Sequence, residues 1–173
     1  MRKSSSIALF GFGAAVAAAA WFGSRSGPQN PETRVWFNSL RKPRWNPPDA
    51  AFPIVWTALY ALMAVSGART WSAPRSHRRS RALTLWSAQL LANAAWTRIF
   101  FGRRQPRLAL ADIGLLETLI LAYIAEAREV DAAAAACFLP YAAWVAFASL
   151  LNTEIVRLNP PSAPDTFSTQ RPA

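Results

Sequence analysis

Apolar residues along this chain come in long blocks rather than in alternation. Ser4–Ser24 is 21 residues without a charge, Ala50–Ala68 is 19 and Ala132–Thr153 is 22. Ala82–Thr97 adds 16, and Ile99-Phe100-Phe101 extends it past Arg98. Leu108–Ala125 is of similar length but contains Asp112 and Glu117, which makes it the poorest candidate on hydropathy alone. A helix rises ~1.5 Å per residue, so about 20 mostly apolar residues cross a ~30 Å hydrocarbon core. The pattern predicts an all-α fold, a polytopic membrane protein built as a five-transmembrane-helix bundle. The expected spans are 4–24, 50–71, 82–101, 107–126 and 132–156, within one domain over residues 1–159.

The connections fit this reading. Gly27-Pro28-Gln29-Asn30-Pro31 interrupts the chain after the first block, and Pro43, Pro47 and Pro48 keep the approach to the second non-helical. Arg25–Asp49 therefore reads as a loop of about 25 residues, long enough to carry function. Ala73–Arg81 reads as a short basic turn holding His77, and Gly102–Arg107 and Arg128–Asp131 as shorter turns. Residues 160–173, rich in Pro, Ser and Thr, are expected to be a disordered tail. The first block has a competing reading as a cleavable signal peptide, since Arg2-Lys3 precedes an apolar, Ala-rich run. The length of its uncharged run favours a retained helix.

Charge and composition narrow the function. The chain carries 19 Lys+Arg against nine Asp+Glu, a net +10. These positives flank apolar blocks, so the expected counter-ions are lipid headgroups and not nucleic acid. With five spans, eight basic residues fall on the side of the N-terminus and eleven on the side of the first loop and C-terminus. The positive-inside rule thus leans towards a cytoplasmic first loop and C-terminus. One Cys and one His cannot supply a disulfide framework, a Cys-cluster metal site or a catalytic triad. No catalytic residue, metal or cofactor is expected, and Cys137 reads as a small packing residue.

The informative side chains are aromatics and amides at helical spacing. Trp56, Tyr60 and Met63 share one face of the second span, and Gln89, Asn93 and Trp96 share one face of the third. Trp144, Phe147, Ala148 and Leu151 share a face of the fifth, one turn after Pro140. Buried amides need hydrogen bonds in hydrocarbon, which points them into the bundle beside the aromatic faces. Such an interior suits a large, flat, apolar ligand with polar edges. Plain helix packing explains the same residues, and spacing leaves both readings open. Asp112 and Glu117, five apart, point to different faces of the fourth helix; Asp112 is expected near the membrane edge and locally paired.

Several of these segments also carry a family resemblance. Trp36-Phe37-Asn38-Ser39-Leu40-Arg41-Lys42-Pro43-Arg44-Trp45-Asn46-Pro47-Pro48 resembles the first-loop signature of the tryptophan-rich sensory protein/translocator protein (TspO/MBR) family. Val55-Trp56-Thr57-Ala58-Leu59-Tyr60 and Gln89-Leu90-Leu91-Ala92-Asn93-Ala94-Ala95-Trp96, followed by Phe100-Phe101-Gly102, are similar to its second- and third-helix motifs. Ala109-Leu110-Ala111-Asp112 and the run from Pro140 to Asn152 fit its fourth and fifth helices, all in order between about residues 7 and 159.

The resemblance implies a five-helix bundle, commonly homodimeric, with a pocket beneath the first loop. It implies a tetrapyrrole such as protoporphyrin IX, or another flat apolar small molecule, as ligand, in binding, transport or stress sensing. Carried over by motif, the ligand-binding residues would be Trp56, Asn93, Trp96, Trp144, Phe147, Ala148 and Leu151, with Phe37, Trp45 and Pro47 as a lid. Light- and oxygen-dependent porphyrin degradation is the enzymatic alternative, and sterol or lipid translocation a second. Phe37 replaces the usual loop Tyr, and Arg98 follows the Trp motif where a small residue or Pro is usual; it would snorkel to headgroups or pair with a porphyrin carboxylate. The run Leu151–Arg157 lacks the Tyr of the family's sterol pattern. For the dimer, Ala88, Ala92 and Ala95 would allow close helix approach, with Gly11/Ala15 as the other candidate face.

Overall fold

In the computed structural model the described residues are 2–27 and 30–160, with side chains described from Ser6 onward. All regular structure among them is helical: α1 (Arg2–Ser24), α2 (Pro31–Ser39), α3 (Ala51–Ser72), α4 (His77–Thr97), α5 (Pro106–Arg128), α6 (Ala132–Ala136) and α7 (Leu139–Leu158). A π-helical turn, Arg98–Gly102, continues α4. Apart from Pro160, the expected tail lies outside the described residues.

Five long helices form the bundle. The tightest pairings are α4 with α5, α1 with α3, and α5 with α7. The segment open to a signal-peptide reading is helix α1, and it packs on both α3 and α4. Four segments are long and apolar enough to cross a membrane: Ser6–Ser24, Ala51–Ser72, Pro106–Arg128 and Ala132–Leu158. Of the five expected spans, length and composition alone qualify four. The poorest candidate by eye, α5, qualifies easily, because two carboxylates are diluted among Leu, Ile and Ala. Helix α4 falls short. Its apolar positions are diluted by Gln89, Asn93 and several Ser and Thr, and it begins five residues before the expected span, taking in Arg78, Arg79 and Arg81.

That early start has a local cause. The Ser76 hydroxyl accepts from the Arg79 N–H (3.1 Å) and caps the helix at His77. The basic turn therefore becomes a helical first turn. There Arg78 and Arg81 pair with Glu126 (3.6 and 3.0 Å), and Arg79 lies over the Trp71 ring (4.9 Å). The long first loop likewise contains a helix, α2, where none was expected. Asn30 Oδ1 accepts from the Glu32 and Thr33 N–H groups (3.0 and 3.5 Å), Pro31 stands at the first helical position, and Glu32 faces the positive helix end. The last span is broken between α6 and α7, with Pro140 in the first turn of α7.

Two contacts pin the bundle. The Phe12 ring of α1 lies on Gly67 of α3, so close that a Cβ there would sit 2.4 Å from Phe12 Cδ1, and it meets Trp86 edge-on at 4.7 Å. Tyr123, fully buried, shares hydrogen bonds with Ser66 (2.6 Å) and Thr70 (2.9 Å), and Ser66 also donates to the Ala134 carbonyl (2.7 Å). This knot ties α3, α5 and α6 where no water reaches, so every hydroxyl needs its partner.

Candidate functional site

An interior cavity of about 460 Å³ opens among α1, α3, α4, α5 and α7, with α2 as its roof. It falls within the ~300–1,000 Å³ range of small-molecule sites. The wall is aromatic and small: Phe52, Trp56 and Tyr60 from α3, Trp96, Phe100 and Phe101 from α4 and its π-turn, and Trp144, Ala148 and Leu151 from α7. The π-turn matters here. By shifting the helix register it brings Phe100 and Phe101 together beside Phe37 of the roof (6.3 and 5.4 Å) and stacks Phe100 on Trp96 (5.0 Å, 21°).

The polar groups are few and placed. Asn93 Nδ2 donates to the Tyr141 hydroxyl (2.9 Å), and Asn93 Oδ1 accepts from the Tyr60 hydroxyl (3.4 Å). The two tyrosines hold the amide still and leave one N–H and one lone pair for a ligand. At the mouth the cavity is lined by Arg34, Asn38 and Asp49. The roof is fastened to the bundle by a two-way hydrogen bond. The Arg41 N–H donates to Asn159 Oδ1 (3.0 Å), and Asn159 Nδ2 donates back to the Arg41 carbonyl (2.9 Å). Lys42 lies over the Phe37 ring at 3.8 Å.

Of the residues singled out in the sequence, Phe37, Trp56, Asn93, Trp96, Trp144, Ala148 and Leu151 line the cavity. Phe147 does not; it stands behind Trp144 (5.5 Å). Trp45 meets Phe147 edge-on (5.7 Å) from a half-exposed position, and Pro47 stays outside the wall. Met63 and Gln89 are fully buried but belong to helix packing, Gln89 Nε2 donating to the Trp86 carbonyl (2.9 Å). Arg98 is exposed and takes no part in the cavity, whereas Arg34 does. Asp112 is not locally paired: it joins no ion pair among the described residues, and its Oδ2 is buried without a hydrogen-bond partner, as is Glu117 Oε2. Tyr60, Phe52, Phe100 and Phe101 complete the wall. Tyr60 was legible from its helical spacing to Trp56, but the two Phe residues needed the π-turn.

Outside the spans, Asp131 caps α6 and accepts from the Ala134 N–H (2.9 Å) while pairing with Arg69 (3.0 Å). Partial burial pushes its carboxyl up, but those two partners outweigh it and hold the group below the ordinary carboxylate range.

Fold and cavity together define a multi-pass, all-helical membrane protein with an aromatic interior chamber. The family model of the TspO/MBR family matches residues 12–158, and the chain belongs to that family. It is 36% identical over 134 residues to Protein CrtK of Rhodobacter capsulatus, covering 77% of this chain and 84% of that one. It is 37% identical over 124 residues to a tryptophan-rich sensory protein of Cereibacter sphaeroides, covering 72% and 77% of the two chains. The human translocator protein is 35% identical over 126 residues, covering 72% of this chain and 75% of its own.

Proposed function

We propose that this protein binds a flat, largely apolar small molecule of the tetrapyrrole class in the interior cavity, acting as a membrane binding or transport protein. The observation that carries the reading is the cavity wall. Indoles of Trp56, Trp96 and Trp144 and the rings of Phe52 and Phe100 surround a space with the tyrosine-held amide of Asn93 on the floor and Arg34 at the mouth. Aromatic faces take the macrocycle, and the two polar ends take its edge substituents. The names "sensory protein" and "translocator protein" borne by relatives agree with a ligand-handling role.

Titration with protoporphyrin IX tests it. Each aromatic contact contributes about 0.5–1.5 kcal/mol beyond burial. Trp56→Phe or Trp144→Phe should therefore weaken binding by roughly 2- to 13-fold at ~1.4 kcal/mol per decade. Trp71, half exposed and away from the cavity, is the control. Equal losses from Trp71→Phe, or none from the cavity residues, would sink the proposal. The same samples in light and in dark separate binding from degradation, since a light-dependent product that needs the tryptophans would move the protein to the enzymatic reading.

Topology belongs to the same proposal: α4 crosses with the four apolar segments, leaving the termini on opposite sides. Its polar residues are served inside the bundle, by Glu126 at one end and Tyr141 at the other. On the α3–α4 and α5–α6 side, Arg69, Arg78, Arg81 and Arg128 sit in ion pairs. Eleven of the 19 basic residues fall on the mouth side against eight on the other, which supports a cytoplasmic first loop. Reporter fusions at both ends decide it. Homodimerisation is a further part. Ala92 is buried in the protomer's own core, so the exposed Gly11/Ala15 face of α1 is the better seam. A Gly11→Leu change should reduce the oligomer in detergent if that seam is used.

A further inference from the structure

A shallow, open groove lies on the outer side of the bundle between α3 and α7. Ile54, Ala58 and Leu62 form one wall, and Pro140, Ala143 and Trp144 the other; no charged side chain lines it. Both helices belong to segments long and apolar enough to cross a membrane, so the groove faces hydrocarbon. It exists because α3 packs on α1, α4 and α6, and α7 on α5, leaving this pair of helices apart. Trp144 lines both this groove and the interior cavity. Among the described residues it is the one side chain common to the two linings. It is steadied by ring contacts with Phe52 (5.9 Å) and Phe147 (5.5 Å), and no hydrogen bond to its N–H is found among the described residues.

We infer that the α3–α7 groove seats a hydrocarbon chain of the bilayer, and that Trp144 is the side door through which an apolar ligand passes between bilayer and cavity. The second clause rests on the ligand-binding reading above; the first does not. An apolar ligand concentrates in the membrane, and the aqueous mouth is covered by α2 and held by the Arg41–Asn159 hydrogen bonds. The lateral route never takes the ligand out of an apolar environment. It requires only a rotamer change of one side chain that no hydrogen bond holds, whereas the mouth route requires the roof to lift.

Filling the groove tests both clauses. Ala58 and Ala143 are exposed, line the groove and do not line the interior cavity, so Ala58→Phe and Ala143→Phe should fold normally, checked by near-ultraviolet circular dichroism. The protein is reconstituted in phosphatidylcholine vesicles containing lipid brominated at mid-chain. The Trp144 contribution to emission, taken as the difference from Trp144→Phe, should be quenched in the wild-type chain and recover in Ala143→Phe. Absent quenching in the wild type, as a second copy seated on the groove would give, or quenching unchanged by Ala143→Phe, overturns the chain-seat. In plain vesicles preloaded with protoporphyrin IX, both variants should slow association by about one decade while equilibrium affinity stays within about twofold. Unchanged association overturns the side door. A wild-type chain that binds no porphyrin at all overturns the ligand reading and the door together, and leaves the quenching result to decide the seat.

Discussion

Gly67→Ala is the sharpest test of how the bundle closes. An added Cβ would lie 2.4 Å from Phe12 Cδ1, 2.8 Å from Cε1 and 2.9 Å from Cγ. Carbon atoms rest at about 3.5–4.0 Å, so the ring has to retreat by more than about 1 Å. It cannot do so freely, because it is edge-on to Trp86 at 4.7 Å and tilted against Trp71 at 6.4 Å. Overpacking of this kind costs about 1–3 kcal/mol, and losing the edge-to-face pair about 0.5–1.5 more. The better helix propensity of Ala returns about 1 kcal/mol. The expected net loss is therefore about 0.5–3.5 kcal/mol. It should be measured as reversible unfolding in mixed micelles of rising dodecyl sulfate fraction. The decisive companion is Phe12→Ala, which removes the obstacle. In that background Gly67→Ala should cost nothing or stabilise. An equal loss in both backgrounds would refute the close-contact explanation and point to backbone flexibility at Gly67 instead.

Other outcomes follow from single contacts. Tyr123→Phe leaves the Thr70 hydroxyl buried with its tyrosine partner gone, and should cost about 0.5–3 kcal/mol in the same unfolding assay; adding Thr70→Val should recover part of it. Asn159→Ala removes both hydrogen bonds that hold the roof at Arg41, about 1–3 kcal/mol together, and should speed tryptic cleavage between Arg41 and Lys42, read by mass spectrometry. Asp131 has a folded-state pKa below its unfolded one, so the stability it supplies is present above the ordinary Asp value of about 3.9 and is lost as pH falls through the lowered folded value. Asp131→Asn keeps a capping oxygen but removes the Arg69 pair. Its unfolding midpoint should therefore lack that acid-range decline, while the wild type shows it.

Much of the molecule is legible in its sequence, and what is legible has a common cause. In hydrocarbon a backbone must satisfy its own hydrogen bonds, so long apolar blocks such as Ser4–Ser24 and Ala50–Ala68 have only the helix available. Helical spacing then put Trp56 with Tyr60, Asn93 with Trp96, and Trp144 with Ala148 and Leu151 on common faces, and all seven line the cavity. Even α2 was written locally, in Asn30-Pro31-Glu32, although the surrounding prolines concealed it. What sequence could not supply was the choice between faces and the distances between helices. Met63 and Gln89 have the same periodicity as the cavity residues but are fully buried away from the cavity: Met63 packs into the bundle core, and Gln89 turns its amide back onto the Trp86 carbonyl of its own helix. Phe100 and Phe101 reach the cavity only because a π-turn re-aims them. The gap between α3 and α7, and with it the double exposure of Trp144, exists because each helix spends its contacts on other partners. Local pattern sets what a helix can bury; only the assembled bundle determines what stands opposite.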